Sequence, residues 1–474
     1  MASSGDASTT QHVVQGHTVE EAEKAPGVHG IGSSREQRPK MPILGYLKGF
    51  APFKLDALGL VTLLGADEVD RHVGKLVRSR WLEFLPLLGA FVVASDKFTE
   101  KQPGFQLYNF SANIQTPDMA GWFTRWLVKQ NFKTSGACVE WDVKSKPHSF
   151  LLDMWIALLI GVVVQAGLIV ITVLMGDWWG LANAMSMVIS TIARVYLVGR
   201  NTAWLDRAVV ENTKKAIEKV DPKAFTASSS VSDKLVLGEK RLADLDQAKV
   251  VVVLPDARAA ALFIPKCLVL DCFVYNPKPP KSTDETKRVR TLPVREKKED
   301  TEEQSTPIEL VYYTIVRWIA WIAFGAHVVT IGMSDLVSQL ITVVIIVVPT
   351  FLIVSGFGCK DNHVGTRLRA RIFNIPPEGE QVRRADVYAF LKLTSGEEGS
   401  LEKWNLAPHR PNTEFWEAYE RKKKVFAQVD DLRKLDTYRE RVDAMRETQA
   451  RLGVLPEPTP VVTSTTKHAP LDTA

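Results

Sequence analysis

Nearly all the long apolar runs of this 474-residue chain fall in two windows, roughly 150–199 and 311–357, and the remainder is strongly polar. A helix rising about 1.5 Å per residue needs roughly twenty apolar residues to cross the hydrocarbon of a bilayer. The first window holds two such stretches, 150–175 and 180–198, separated only by Gly176, Asp177, Trp178 and Trp179. The second repeats the construction, with 311–331, a tip of Gly332, Met333, Ser334 and Asp335, and then 336–356. Four intervening residues leave room only for an antiparallel return. The pattern predicts a mainly α membrane protein of two antiparallel transmembrane hairpins, four spans in all, in contact with a lipid bilayer. The average composition, 46% apolar and 24% charged, hides this segregation.

Lys and Arg resist translocation and gather on the cytosolic side. Both tips lack them, about twenty lie between the two windows, and Lys360, Arg367, Arg369 and Arg371 follow the last span. The expected topology therefore puts the tips outside or in a lumen and both termini in the cytosol. Spans of about twenty residues do not separate one host membrane from another. No apolar h-region precedes the first window, so insertion is expected to rely on an internal helix. The net charge of +5 is a small difference between 59 basic and 54 acidic residues and gives no reason to invoke nucleic acid.

Around the spans, residues 1–40 and 453–474 read as disordered tails and 278–310 as a charged linker. Region 41–149 reads as cytosolic or membrane-surface, with short apolar and interfacial helices. Its apolar stretch 82–95 is too short to span and is expected to pack on the membrane surface or a core. Within 117–132, Trp122, Phe123, Trp126 and Leu127 recur at helical spacing with Arg125 and Lys129 opposite. That pattern suits a helix lying in the membrane interface and equally an amphipathic helix on a soluble domain. Cytosolic region 200–277 contains β-branched runs around Pro255, Asp256, Ala257 and Arg258, which predict a small antiparallel sheet. Beyond a polar cytosolic region, 358–411, a long amphipathic helix is expected over 412–452. Its Phe415, Tyr419, Phe426, Val429 and Tyr438 suit packing on a protein partner.

The chain contains no P-loop, GxGxxG, HExxH or GxSxG motif, and its four cysteines lack CxxC spacing. No catalytic residue, cofactor or metal ligand is expected, and the cysteines read as reduced thiols. Polar residues inside the spans are costly and carry the remaining hypotheses. Pairing about the tips sets Gln165 opposite Ser190, Gly161 opposite Arg194, and His327 close to Gln339. Ala182, Ser186 and Ser190, with Ala157 and Gly161, repeat every four residues and predict close helix packing. Asn183, His327 and Gln339 lie within about two turns of the tips. With Asp177 and Asp335 they form either a polar layer responsive to protons or cations, or a set of helix caps and satisfied hydrogen bonds. Asp153, Arg194 and Arg317 near the cytosolic ends read as hydrated or snorkelling groups.

The segments DWWGLANA from Asp177, PDARAAALFIPKCLVLDCFVYNPKPP from Pro255, WIAFGAHVVTIGMSDLVSQ from Trp321 and WNLAPHRPNTEFWEAYE from Trp404 resemble an uncharacterised family of multi-pass membrane proteins from filamentous fungi. The likeness runs from about residue 140 to 420. It implies architecture and kingdom and transfers no functional residue. Two functions remain in view: a non-enzymatic scaffold acting through the cytosolic sheet or C-terminal helix, and a small channel or transporter using the polar layer, for which four spans would need to homo-oligomerise.

Overall fold

The computed structural model describes residues 66–88, 99–130, 132, 136–148, 151–220, 245–277, 307–375, 384–409, 413–429, 435 and 437–453. The expected tails apart from Gly453, most of the linker over 278–310 and residues 89–95 of the short apolar stretch lie outside the described residues. In chain order the elements begin with α1 (Ala66–Val73), β1 (Gln106–Asn109), β2 (Ile114–Thr116), α2 (Gly121–Gln130) and β3 (Ala137–Val143). Two long helices follow, α3 (Leu151–Met175) and α4 (Trp178–Val220), then β4 (Gln247–Val253), β5 (Ala259–Pro265) and a π-helical turn, Val269–Val274. After them come α5 (Pro307–Met333), α6 (Leu336–Val354), β6 (His363–Val364) and β7 (Leu368–Asn374). The chain closes with α7 (Arg384–Phe390), α8 (Ser395–Lys403), α9 (Thr413–Gln428) and α10 (Tyr438–Leu452).

Helices α3, α4, α5 and α6 are each long and apolar enough to cross a membrane. Their outward faces carry large apolar side chains: Leu152, Trp155, Ile322 and Phe351 are all more than 60% exposed. Trp155 near one end of α3 and Trp178 just beyond its other end are both exposed, at 64% and 76%. The helices do not pair only with their sequence neighbours. While α3 contacts α4, α5 runs along α4, and α6 packs on α3 and α1.

The sheet is larger than the sequence suggested and is mixed, not wholly antiparallel. Its order is β2-β1-β4-β5-β3-β7-β6, with β3 parallel to β5 and every other pair antiparallel. The expected hairpin is present: Leu254 and Arg258 close the turn, with Ala257 in the left-handed region at φ 63°. It acquires partners on both sides because β1 and β3 precede the spans and β7 follows them, and a local reading cannot see strands so far apart. One sheet face packs on α2, the π turn and the far end of α4, through Trp122, Trp126, Trp141, Phe273, Leu205 and Val209. The other packs on α7, α8, α9 and α10 through Tyr388, Tyr419, Phe426 and Met445.

Residues 121–127 of α2 are all buried, which matches the second of the two readings of this helix, an amphipathic helix packed on a folded domain. One expectation about helices is corrected. The helix expected over 412–452 is two helices. Thr437 starts the second with a reciprocal capping box to Glu440, its side chain accepting from the Glu440 amide at 3.2 Å. Tyr419, Phe426 and Val429, read as a docking stripe, are already buried against the chain's own sheet, whereas Tyr438 is exposed.

Candidate functional site

The polar residues near the ends of α3 to α6 converge on one another. Asp177 sits in the two-residue connection between α3 and α4 and is 6% exposed. Its Oδ1 accepts from the Gly180 amide at 2.9 Å, which caps α4, and its Oδ2 accepts from the Asp335 amide at 3.0 Å, at the start of α6. One carboxylate thus faces the positive ends of two helix dipoles and ties the two tips together. Gly180 is required by this approach, since a Cβ there would lie 2.4 Å from Asp177 Oδ2 and 2.9 Å from Ser338 Oγ.

About one and a half turns further along α4, Asn183 is fully buried. Its Nδ2 donates to Thr342 Oγ1 of α6 at 3.0 Å, and its Oδ1 lies 2.6 Å from His327 Nδ1 of α5. Three helices are therefore joined through one asparagine. His327 was expected beside Gln339. It meets Asn183 instead, because α5 lies along α4. Gln339 donates from Nε2 to the Ser334 carbonyl at 3.0 Å, and Ser334 Oγ donates to the Ile331 carbonyl at 2.9 Å. Two buried oxygens of the layer, Ser338 Oγ and Gln339 Oε1, have no partner among the described residues.

The packing residues divide. Ala157 is fully buried on α3, and Ser186 is buried on α4 with its hydroxyl bonded back to the Ala182 carbonyl at 2.9 Å. Ala182 and Ser190 are half-buried. Gln165 meets Thr191, at 3.4 Å, and not Ser190, and it also donates to the Phe84 carbonyl at 3.2 Å. Gly161 and Arg194, expected to face each other, each meet residues 82–88. A Cβ on Gly161 would lie 2.7 Å from Phe84, while Arg194 donates to the carbonyls of Glu83 and Leu85 at 2.6 and 2.8 Å. Arg194 is buried, not snorkelling, and Asp153 is ion-paired with Arg80 at 3.0 Å and Lys360 at 3.5 Å.

Sequence reading missed the residues that moor the domain to the spans. Arg125 is 2% exposed and donates to Asp70 Oδ2 from Nη2 and Nε at 2.7 and 3.1 Å, and to the Glu100 and Gly121 carbonyls. Lys129 Nζ donates to the Val354 carbonyl at 2.7 Å, at the end of α6, and Lys75, 1% exposed, pairs with Asp361 at 2.6 Å. Asp206 on the far half of α4 accepts from Thr366 through its amide and hydroxyl at 2.9 and 2.8 Å. Burial pushes all four thiols above their ordinary pKa, away from nucleophilic thiolates.

No family model, curated protein or solved structure matches this chain.

Proposed function

We propose that this is a four-span integral membrane protein, two helical hairpins with their tips away from the cytosol and both termini inside, that serves as a non-enzymatic scaffold. On this reading the spans hold a cytosolic domain rigidly against the bilayer for a protein partner. The observation that carries it is α4, one 43-residue helix that runs from the apolar stretch beyond Asp177 into the domain core, where Leu205 and Val209 are fully buried. No flexible linker intervenes there, so the domain cannot reorient without breaking the helix.

The polar layer supports the same reading. Asp177 accepts from backbone amides at two helix N-termini, and Asn183 bonds to both Thr342 and His327, the arrangement that glues helices together in lipid. The partner is expected on solvent-facing parts of the domain, since the apolar face of α9 is covered by the chain's own sheet. The likeness of the tip segments suggests a place among multi-pass membrane proteins of filamentous fungi. A second reading, a small channel or transporter, is favoured by the two unpartnered oxygens, Ser338 Oγ and Gln339 Oε1.

Flux in reconstituted liposomes separates the two. The scaffold reading predicts no conductance of small ions, and a His327→Ala variant less stable by about 1–3 kcal/mol through the stranded Asn183 oxygen, with leakage unchanged. Ion flux by the parent chain that disappears in His327→Ala would establish transport instead.

A further inference from the structure

Where the long helices enter the domain, a cavity of about 80 Å³ opens among Arg78, Arg80, Asp153, Met154, Val195 and Lys360. A smaller one of about 40 Å³ adjoins it through the shared Ser79, Glu83 and Val195 and reaches Arg194. Met154 and Val195 belong to apolar stretches of α3 and α4, so one wall is hydrocarbon-like and the other is cationic. With both acids of the lining, Asp153 and Glu83, set against Arg78, Arg80, Arg194 and Lys360, the two cavities keep a cationic excess, and Asp153 answers to both Arg80 and Lys360, at 3.0 and 3.5 Å. Arg194 is 6% exposed, and among the described residues only its Nη2 is hydrogen-bonded, to the Glu83 and Leu85 carbonyls. Its Nε and Nη1 have no hydrogen-bond partner among the described residues, and Arg194 lines the smaller cavity. A buried guanidinium with spare donors, beside further cations, matches the chemistry of a phosphate group. An apolar wall at the same level matches acyl chains.

We infer that this cleft binds the phosphate headgroup of an anionic phospholipid from the leaflet on the domain's side. Arg194 and Arg80 donate to the phosphate oxygens, Lys360 adds charge, and the acyl chains follow the exposed faces of α3 and α4. Such a lipid would lock the seam between spans and domain. The inference rests on the bilayer placement proposed above, and the test keeps the two apart.

The full chain is incorporated into nanodiscs of phosphatidylcholine doped with phosphatidic acid, and retained lipid is counted by native mass spectrometry. Failure to incorporate would count against the membrane reading itself. With incorporation intact, the expected result is preferential retention of phosphatidic acid, reduced about tenfold when Arg80→Gln and Lys360→Gln are combined. Both side chains are partly exposed, at 40% and 49%, so this variant should fold, as circular dichroism will report. Added inorganic phosphate that displaces the lipid would assign the affinity to the phosphate alone. Resistance to displacement would assign it to the whole lipid, and either result supports the site. Equal retention of both lipids, or retention unchanged in the double variant, would overturn the inference.

Discussion

A guanidinium removed from water costs several kcal/mol unless its N–H groups find acceptors. Arg125 meets that condition through Asp70 and two carbonyls, and Gly74 leaves the room, since a Cβ there would lie 2.4 Å from Arg125 Cδ. The account predicts that Arg125→Met alone costs about 3–5 kcal/mol by stranding Asp70, whereas Arg125→Met with Asp70→Leu recovers most of it. Thermal unfolding of the detergent-solubilised chain measures both, and equal losses would contradict the pairing. On a helical wheel Arg125 falls on the polar side of α2. Its burial depends on α1, 55 residues away in sequence, which a wheel does not contain. Asp177, Asn183 and His327 were legible for the opposite reason, since any polar residue stands out in an apolar run. Their partners were not, because pairing needs knowledge of which helix lies on which.

The apolar run of α4 stops near 198, yet the helix extends over 43 residues. The helix continues because Leu205 and Val209, four residues apart, keep one face buried in the domain core after the apolar run has ended. Ala203 lies between the two regimes and is exposed. Ala203→Pro removes a helical hydrogen bond without removing packing, and should cost about 3 kcal/mol. It should also open α4 to limited proteolysis near that position, while Ala203→Ser leaves the digestion pattern unchanged. The break between α9 and α10 was readable from Thr437 and Glu440, a capping box hidden by the apolar spacing on either side. The alternation in Leu368–Asn374 was likewise present locally, with Leu368, Ala370 and Ile372 on one face of the sheet and Phe373 on the other. Its antiparallel partner β3 lies on the other side of all four long helices, a distance that periodicity does not reach.

At the scale of the whole molecule, the sheet draws strands from before, between and after the two pairs of long helices. A single sheet built this way requires all three segments on the same side of a membrane, which an even number of crossings within each pair provides. On the topology proposed above, that side is the cytosol. Hydropathy and strand pairing are independent of each other, and both require a tip and the domain to lie in different compartments. The direct measurement is labelling with a membrane-impermeant maleimide in sealed, cytosolic-side-out vesicles. It uses single cysteines introduced as Met333→Cys at a tip and Lys266→Cys in the domain, on a background with the four native cysteines replaced by alanine. Both positions are more than half exposed, at 57% and 51%. The account predicts that Lys266→Cys reacts at once and Met333→Cys only after permeabilisation, and labelling of both in sealed vesicles would contradict it.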